Sequence, residues 1–154
     1  MATTYSTALY AANTPSGTGH GVHRINTSLH ATSGAIATWA LNDVINVGWL
    51  PAGAVVQGVT LKAAGQLDTN GAPTLTFDMG VGGSPSLFKS AISTVGRGAG
   101  PTVDATINPA GLLYKTTGKT LVTITVHAAA ATPAAGAMEA AVDYYVEDAP
   151  GSTP

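Results

Sequence analysis

His20, His23 and His30 are the closest grouping of metal-ligating side chains in this 154-residue chain. Histidines can hold a transition metal in the β-sandwich enzymes of the cupin kind, so their spacing is the first thing to test. Ligands on one face of a strand sit two residues apart, and intervals of three and seven put successive histidines on opposite faces unless a bulge or turn intervenes. No nearby Asp or Glu completes a histidine/carboxylate set. Solvent-exposed or interfacial histidines fit better, and no metal is expected. Thr117-Gly118-Lys119-Thr120 carries the Gly-Lys-Thr of a phosphate loop, but position 113, where that loop needs glycine, is Leu113, and Lys119 opens an alternating strand instead of a helix. Gly17-Thr18-Gly19-His20-Gly21 and Gly96-Arg97-Gly98-Ala99-Gly100 lack the third glycine spacing and the βαβ unit of a dinucleotide site, and read as loops. Asp143 and Glu147 share a strand face about 13 Å apart, too far for a glycosidase pair within one strand, although a partner across the sheet stays open. There is no Gly-x-Ser-x-Gly elbow. The absence of cysteine removes disulfides, thiolate metal sites and thiol nucleophiles together. The expectation is a protein that is not an enzyme and takes no cofactor. Trp39, Trp49, Tyr144 and Tyr145 offer a sugar-stacking platform; against it, Trp49 precedes a Leu50-Pro51-Ala52-Gly53 turn and Tyr144 sits on an apolar strand face, ordinary core or corner positions. Asn26-Thr27-Ser28 matches a glycosylation sequon, which has meaning only in an exported chain.

These residues sit in a chain that reads as strands. Met138, Ala140, Val142, Tyr144 and Val146 recur at period two, as do Val122, Ile124 and Val126; Leu75, Phe77, Met79 and Val81; and Val55, Val59 and Leu61. All but Ala140 and Val81 are also the expected core. Residues 22–29, 35–41, 44–49, 87–95 and 112–115 are further strand candidates. Asn70-Gly71 predicts a tight hairpin turn between two of these strands, and residues 132–136 predict another. An alanine-rich helix over 128–141 is opposed by Pro133 and Gly136. Many short strands separated by Gly, Pro and Asn turns give an all-β, two-sheet antiparallel sandwich of jelly-roll or Greek-key kind. Residues 96–111 form a long loop with a short strand over 102–107. Expected organisation is an N-terminal arm over 1–20, a β-sandwich domain over 21–147 and a flexible tail over 148–154. The uncharged N-terminus lacks the basic and apolar regions of a secretory signal, and residues 120–138, about one membrane span in length, are broken by Thr, His127, Pro133 and Gly136.

Charge then narrows the partners. Only 9% of residues are charged, against about 25% in ordinary domains, and Ala, Gly, Thr and Ser supply 77 positions. A lone domain so poor in charge is weakly protected against association, which points to a surface covered by partners, the chain itself among them. Net charge −2 without any charge block argues against electrostatic binding of nucleic acid or an anionic membrane. In the arm, Tyr5, Leu9 and Tyr10 lie at intervals an extended peptide can use as anchors, and they are the expected capsid or subunit contacts once the resemblance below is taken into account.

The run Asp43-Val44-Ile45-Asn46-Val47-Gly48-Trp49-Leu50-Pro51-Ala52-Gly53-Ala54-Val55-Val56 resembles the strand, turn and strand of bacteriophage capsid decoration, or cement, proteins. Leu75 to Val81, Leu112-Leu113-Tyr114, and Ala134-Ala135-Gly136 leading to Val142-Asp143-Tyr144-Tyr145-Val146 follow in the same order, so the resemblance spans roughly residues 20 to 147. Similar sequences occur among tail and head-fibre proteins. The resemblance implies a jelly-roll sandwich, commonly a homotrimer, located on the capsid exterior of the virion and reinforcing contacts between major capsid proteins. It brings no catalytic residues. The loop over 96–111 departs from the family pattern. The competing function is a carbohydrate- or receptor-binding sandwich of a phage tail or head fibre.

Overall fold

The computed structural model describes residues 4–10 and 24–147, with side chains from 29 to 146. Its strands are β1 (Thr4–Tyr10), β2 (Arg24–Ser33), β3 (Val44–Leu50), β4 (Ala54–Ala63), β5 (Thr76–Val81), β6 (Ser84–Ile92), β7 (Thr102–Asp104), β8 (Thr120–Ala128) and β9 (Met138–Glu147), and the described residues contain no helix. The alanine-rich stretch before β9 is therefore loop, as its proline and glycine require. Two antiparallel four-stranded sheets form, β6-β5-β8-β3 and β2-β9-β4-β7. Their inner faces share one hydrophobic core that includes Leu29, Ile45, Val56, Leu61, Phe77, Met79, Phe88, Ile124, Met138 and Val142. The fold is an all-β sandwich.

Among the connections whose residues are described, only that between β5 and β6 is a hairpin within one sheet, through Gly82 and Gly83, where Gly83 takes a φ of 87° that an L side chain resists. From β2 onward every other connection passes to the opposite sheet. This corrects two sequence-based turns. Asn70-Gly71 does not close a hairpin, because β4 and β5 lie in different sheets and neither residue has positive φ. Residues 132–136 likewise carry the chain from β8 in one sheet to β9 in the other. Residues 35–41 are loop, with Ile36 and Trp39 buried, and 112–115 contribute a single bridge, Lys115 to Val55, instead of a strand.

Two bulges decide which side chains face inward. The register shift between Val56 and Gly58 puts Val56, with Val59 and Leu61, in the core, while Val55 is buried on the outer face opposite Tyr145. The shift between Asn46 and Gly48 likewise turns Trp49 outward and Leu50 inward. A slip of one residue reverses every later side chain of a strand. At the end of β9, Tyr144 and Val146 are only partly buried, packed against the core's margin.

The two open flanks of the sandwich are closed differently. Part of the segment expected to lie outside the sandwich, β1, runs through one flank: Thr4 to Ser6 pair in parallel with Val44 to Asn46 of β3, and Thr7 to Tyr10 pair antiparallel with Ser33 to His30 of β2. On the opposite flank β7 pairs with Leu61 to Ala63 of β4. The chain that follows bonds both sheets. Asn108 donates its N–H to the Phe88 carbonyl of β6, while Leu113 and Thr116 donate theirs to Val56 and Ala54 of β4. Asp104 holds the start of this segment, accepting from the N–H and hydroxyl of Thr106 and from the Thr94 hydroxyl. Burial alone would raise the pKa of Asp104; these bonds and the nearby Lys89 lower it instead.

Candidate functional site

The loops gather at the two ends of the sandwich, and the ends differ in character. At one end, residues 34–43, 64–75, 93–101 and 129–137 are locked together. Leu67 is fully buried there, and its N–H donates to the Gly96 carbonyl while its own carbonyl accepts from Ala134. A β-carbon on Gly96, whose φ is 78°, would lie 2.8 Å from Leu67 Cδ1, so only glycine fits. Asp68, also fully buried, accepts N–H bonds from Asn70 and Thr132 at Oδ1 and from Thr74, Leu75 and Ala131 at Oδ2, all between 2.8 and 3.2 Å. Burial by itself would raise its pKa; the amides of Thr132, Ala131, Thr74 and Leu75 outweigh that and hold the carboxyl well below the usual carboxylate range. Arg97 bonds the Leu75 and Thr74 carbonyls through Nε and its terminal nitrogen, and Trp39 Nε1 donates to Ala134 at 2.9 Å. This end is a rigid, self-satisfied plate. Its polar groups are used internally and leave little for a ligand.

The other end carries the short turns over 51–53 and 82–83 and the long segment 105–119, and it presents two adjacent leucines to solvent, where the first end exposes, among the described residues, the single Leu41. Leu112 is 47% exposed and Leu113 60% exposed. They are held rigidly: Gly111 and Leu112 donate to the Asn108 carbonyl, Asn108 Nδ2 donates to Ser86, and Tyr114 packs edge-on against Phe88 with ring centroids 6.1 Å apart. Leu113 has a φ of 61°, a left-handed conformation that is strained for a residue with a β-carbon. Trp49, 49% exposed on the outer face near the same end, is capped by the Lys119 ammonium 5.0 Å from its ring centroid. Exposed leucines on a fixed, strained turn are suited to contact with another apolar surface and offer no group for chemistry.

The residues singled out from sequence are dispersed. His30 is exposed on β2, opposite Ala141; His20 and His23 lie outside the described residues. Among the described residues no three His, Asp or Glu side chains gather as metal ligands would. His127 instead pairs with Asp78, Nδ1 to Oδ2 at 2.9 Å. Lys119 lies directly before β8, in a turn where Thr120 Oγ1 donates to the Gly118 carbonyl, and no helix follows it. The four aromatic residues form no platform: Trp39 and Tyr145 are buried, Tyr144 is half-buried on β9, and Trp49 stands alone on the opposite sheet. Of Tyr5, Leu9 and Tyr10 only the backbone is described; the register sets them opposite Ile45, Ala31 and His30. Sequence reasoning missed Leu112 and Leu113 as a surface feature. The signal was the Asn108-Pro109-Ala110-Gly111 turn directly before two leucines in a segment without alternation.

Among solved structures, a chain of the cyanophage Pam1 capsid asymmetric unit is 34% identical, with a TM-score of 0.67, over 86% of this chain and 92% of that one. The protein belongs to a family of bacteriophage capsid chains. A second capsid chain, from the capsid of Ralstonia phage GP4, is 27% identical with a TM-score of 0.60, over 88% of this chain and 92% of that one. No family model and no curated protein matches. This capsid chain is thus a virion structural protein.

Proposed function

We propose that this capsid chain is a decoration protein that binds the outside of the assembled phage head as a homotrimer and reinforces contacts between major capsid proteins, without enzymatic activity and without binding nucleic acid. The observation that carries the reading is the Leu112-Leu113 turn, rigid, strained and exposed in a chain with 9% charged residues and full-length likeness to capsid chains. The strand order supports a jelly roll: β2-β9-β4-β7 facing β3-β8-β5-β6, with every connection but one crossing between the sheets. The tail- or fibre-borne sugar-binding alternative is left with the fold class alone, since Trp39, Trp49, Tyr144 and Tyr145 do not gather into a stacking face.

Purified protein is expected to bind empty heads and to leave a glycan panel unlabelled; the reverse result overturns the reading. Leu113→Gly is expected to leave stability within about 1 kcal/mol, since glycine relieves the left-handed strain at some cost in unfolded-chain entropy. The same change is expected to weaken head binding about tenfold through loss of one buried leucine. Urea melts and sedimentation with heads check the two halves separately. Unchanged head affinity would remove the turn from the contact.

A further inference from the structure

We propose that Asn70-Gly71 is a self-modification site, at which the folded loop closes Asn70 onto the Gly71 nitrogen and converts it to aspartate and isoaspartate. The reaction needs only solvent water. The Gly71 amide nitrogen attacks Cγ of Asn70, the new C–N bond closes a cyclic imide, and the bond from Cγ to Nδ2 breaks. Ammonia leaves, carrying the proton that Gly71 gave up. Water then adds to one of the two imide carbonyls and opens the ring. Addition at Cγ gives aspartate, and addition at the main-chain carbonyl gives isoaspartate, in which the chain runs through the side-chain carbons.

A folded loop ordinarily slows this chemistry, because its hydrogen bonds occupy the attacking N–H or hold the side chain away from it. Here the bonds are placed the other way. The Ala72 N–H donates to Asn70 Oδ1 at 2.9 Å. A bond from a side-chain oxygen to the N–H two residues on folds the side chain forward along the peptide that joins Asn70 to Gly71, which turns Cγ toward the attacking nitrogen. The same N–H faces the oxygen on which negative charge collects during attack, as a donor in an oxyanion hole does. Asn70 Nδ2, the leaving nitrogen, donates to Thr132 Oγ1 at 3.1 Å, a hydroxyl that can return a proton to it as it departs. The Gly71 N–H donates to no group among the described residues. Gly71 itself is exposed, with open space where a β-carbon would stand, so water reaches the ring. Asp68 anchors both sides of the segment, accepting the Asn70 N–H at Oδ1 and the Thr74 N–H at Oδ2, so the reacting geometry is held in place. The other asparagines with described side chains lack this set. Asn108 precedes a proline, which has no N–H, and the N–H that follows Asn42 donates to the Ala40 carbonyl. Asn46 lies within β3, between β1 and β8, and precedes a β-branched valine.

The product alters the loop plate. A donor beside Thr132 becomes an acceptor, a negative charge appears near Asp68, and isoaspartate adds a methylene to the main chain between two anchored positions. The protein would thus carry a chemical record of its age. To test this, folded protein and protein unfolded in guanidinium chloride would be incubated side by side at mildly alkaline pH and mapped by mass spectrometry after trypsin digestion. The tryptic peptide 63–89 holds Asn70 as its one asparagine. That peptide is expected to gain about 1 Da in the folded protein at least as fast as in the unfolded one, and to separate into aspartate and isoaspartate forms. Thr132→Val keeps the backbone bonds of residue 132 to Asp68 and Thr69, and is expected to slow the folded reaction about tenfold while leaving the unfolded one unchanged. Gly71→Ala, which meets open space, is expected to slow both. Folded protein that keeps Asn70 while the unfolded chain converts overturns the proposal, since the loop then protects the residue. A folded rate untouched by Thr132→Val overturns it too, and neither measurement depends on binding to heads.

Discussion

Replacing Asp68 by alanine is expected to destabilise the protein by about 3 to 5 kcal/mol, because five backbone N–H groups from two loops lose their acceptor at once in a fully buried site. Asp68→Asn tests charge apart from shape. Its amide oxygen can accept some of the bonds, but its NH2 group faces donors, so a loss of comparable order is expected. The carboxylate also sets the acid limit of the fold. Its folded pKa is depressed, so its contribution is complete above the ordinary aspartate value near 4 and disappears as pH falls through the lower folded value. Urea midpoints measured from pH 7 down to pH 2 should decline for the native chain below about pH 4 and decline less for Asp68→Asn. Equal acid sensitivity in both would show that other carboxylates govern the transition.

Phe77→Ala should have an effect of similar size, about 3 to 5 kcal/mol. Phe77 is fully buried on β5 and meets Trp39 edge-on, ring centroids 5.7 Å apart, while Trp39 is pinned through Nε1 to Ala134 in the loop plate. Truncation removes both the transfer energy of the ring and the contact that fixes the indole. The surrounding β5 and β8 backbones are paired on both sides and have little freedom to collapse. Expected results are a lower urea midpoint at unchanged slope and a loss of near-ultraviolet circular dichroism from Trp39. A cost below about 1 kcal/mol would mean that the two sheets do not meet at this residue.

The strands that carry an unbroken period of two were legible in advance. Val122, Ile124 and Val126 on β8, and Met138, Ala140 and Val142 on β9, face inward as their alternation requires. What alternation could not show is where it stops. Nothing in Val55-Val56-Gln57-Gly58 announces the bulge that exchanges Val55 for Val56, and Val47-Gly48-Trp49 conceals the one that turns Trp49 outward. Turn chemistry failed for a related reason. Asn70-Gly71 has the composition of a hairpin, but Asp68 two residues earlier collects N–H groups from the 129–137 loop, a partnership more than sixty residues away that no local pattern contains. The strand position of residues 4–10 was hidden because their partners in β3 lie about forty residues distant. The exposed leucines were read as part of a strand, since their type gives no sign of which side the backbone presents.

Closure of both flanks has a consequence for how so uncharged a molecule survives at high concentration. Many β proteins keep bare strand edges from templating amyloid-like stacks by planting lysines or other charges along them. With six Lys and Arg in the whole chain, this protein has few to spare for such gatekeeping. Its protection is written in backbone: β1 occupies one pair of edges, and β7 with the 105–116 segment occupies much of the other. Colloidal stability obtained this way is insensitive to salt and to the protonation of surface groups. It leaves the faces free to be as neutral as close packing demands.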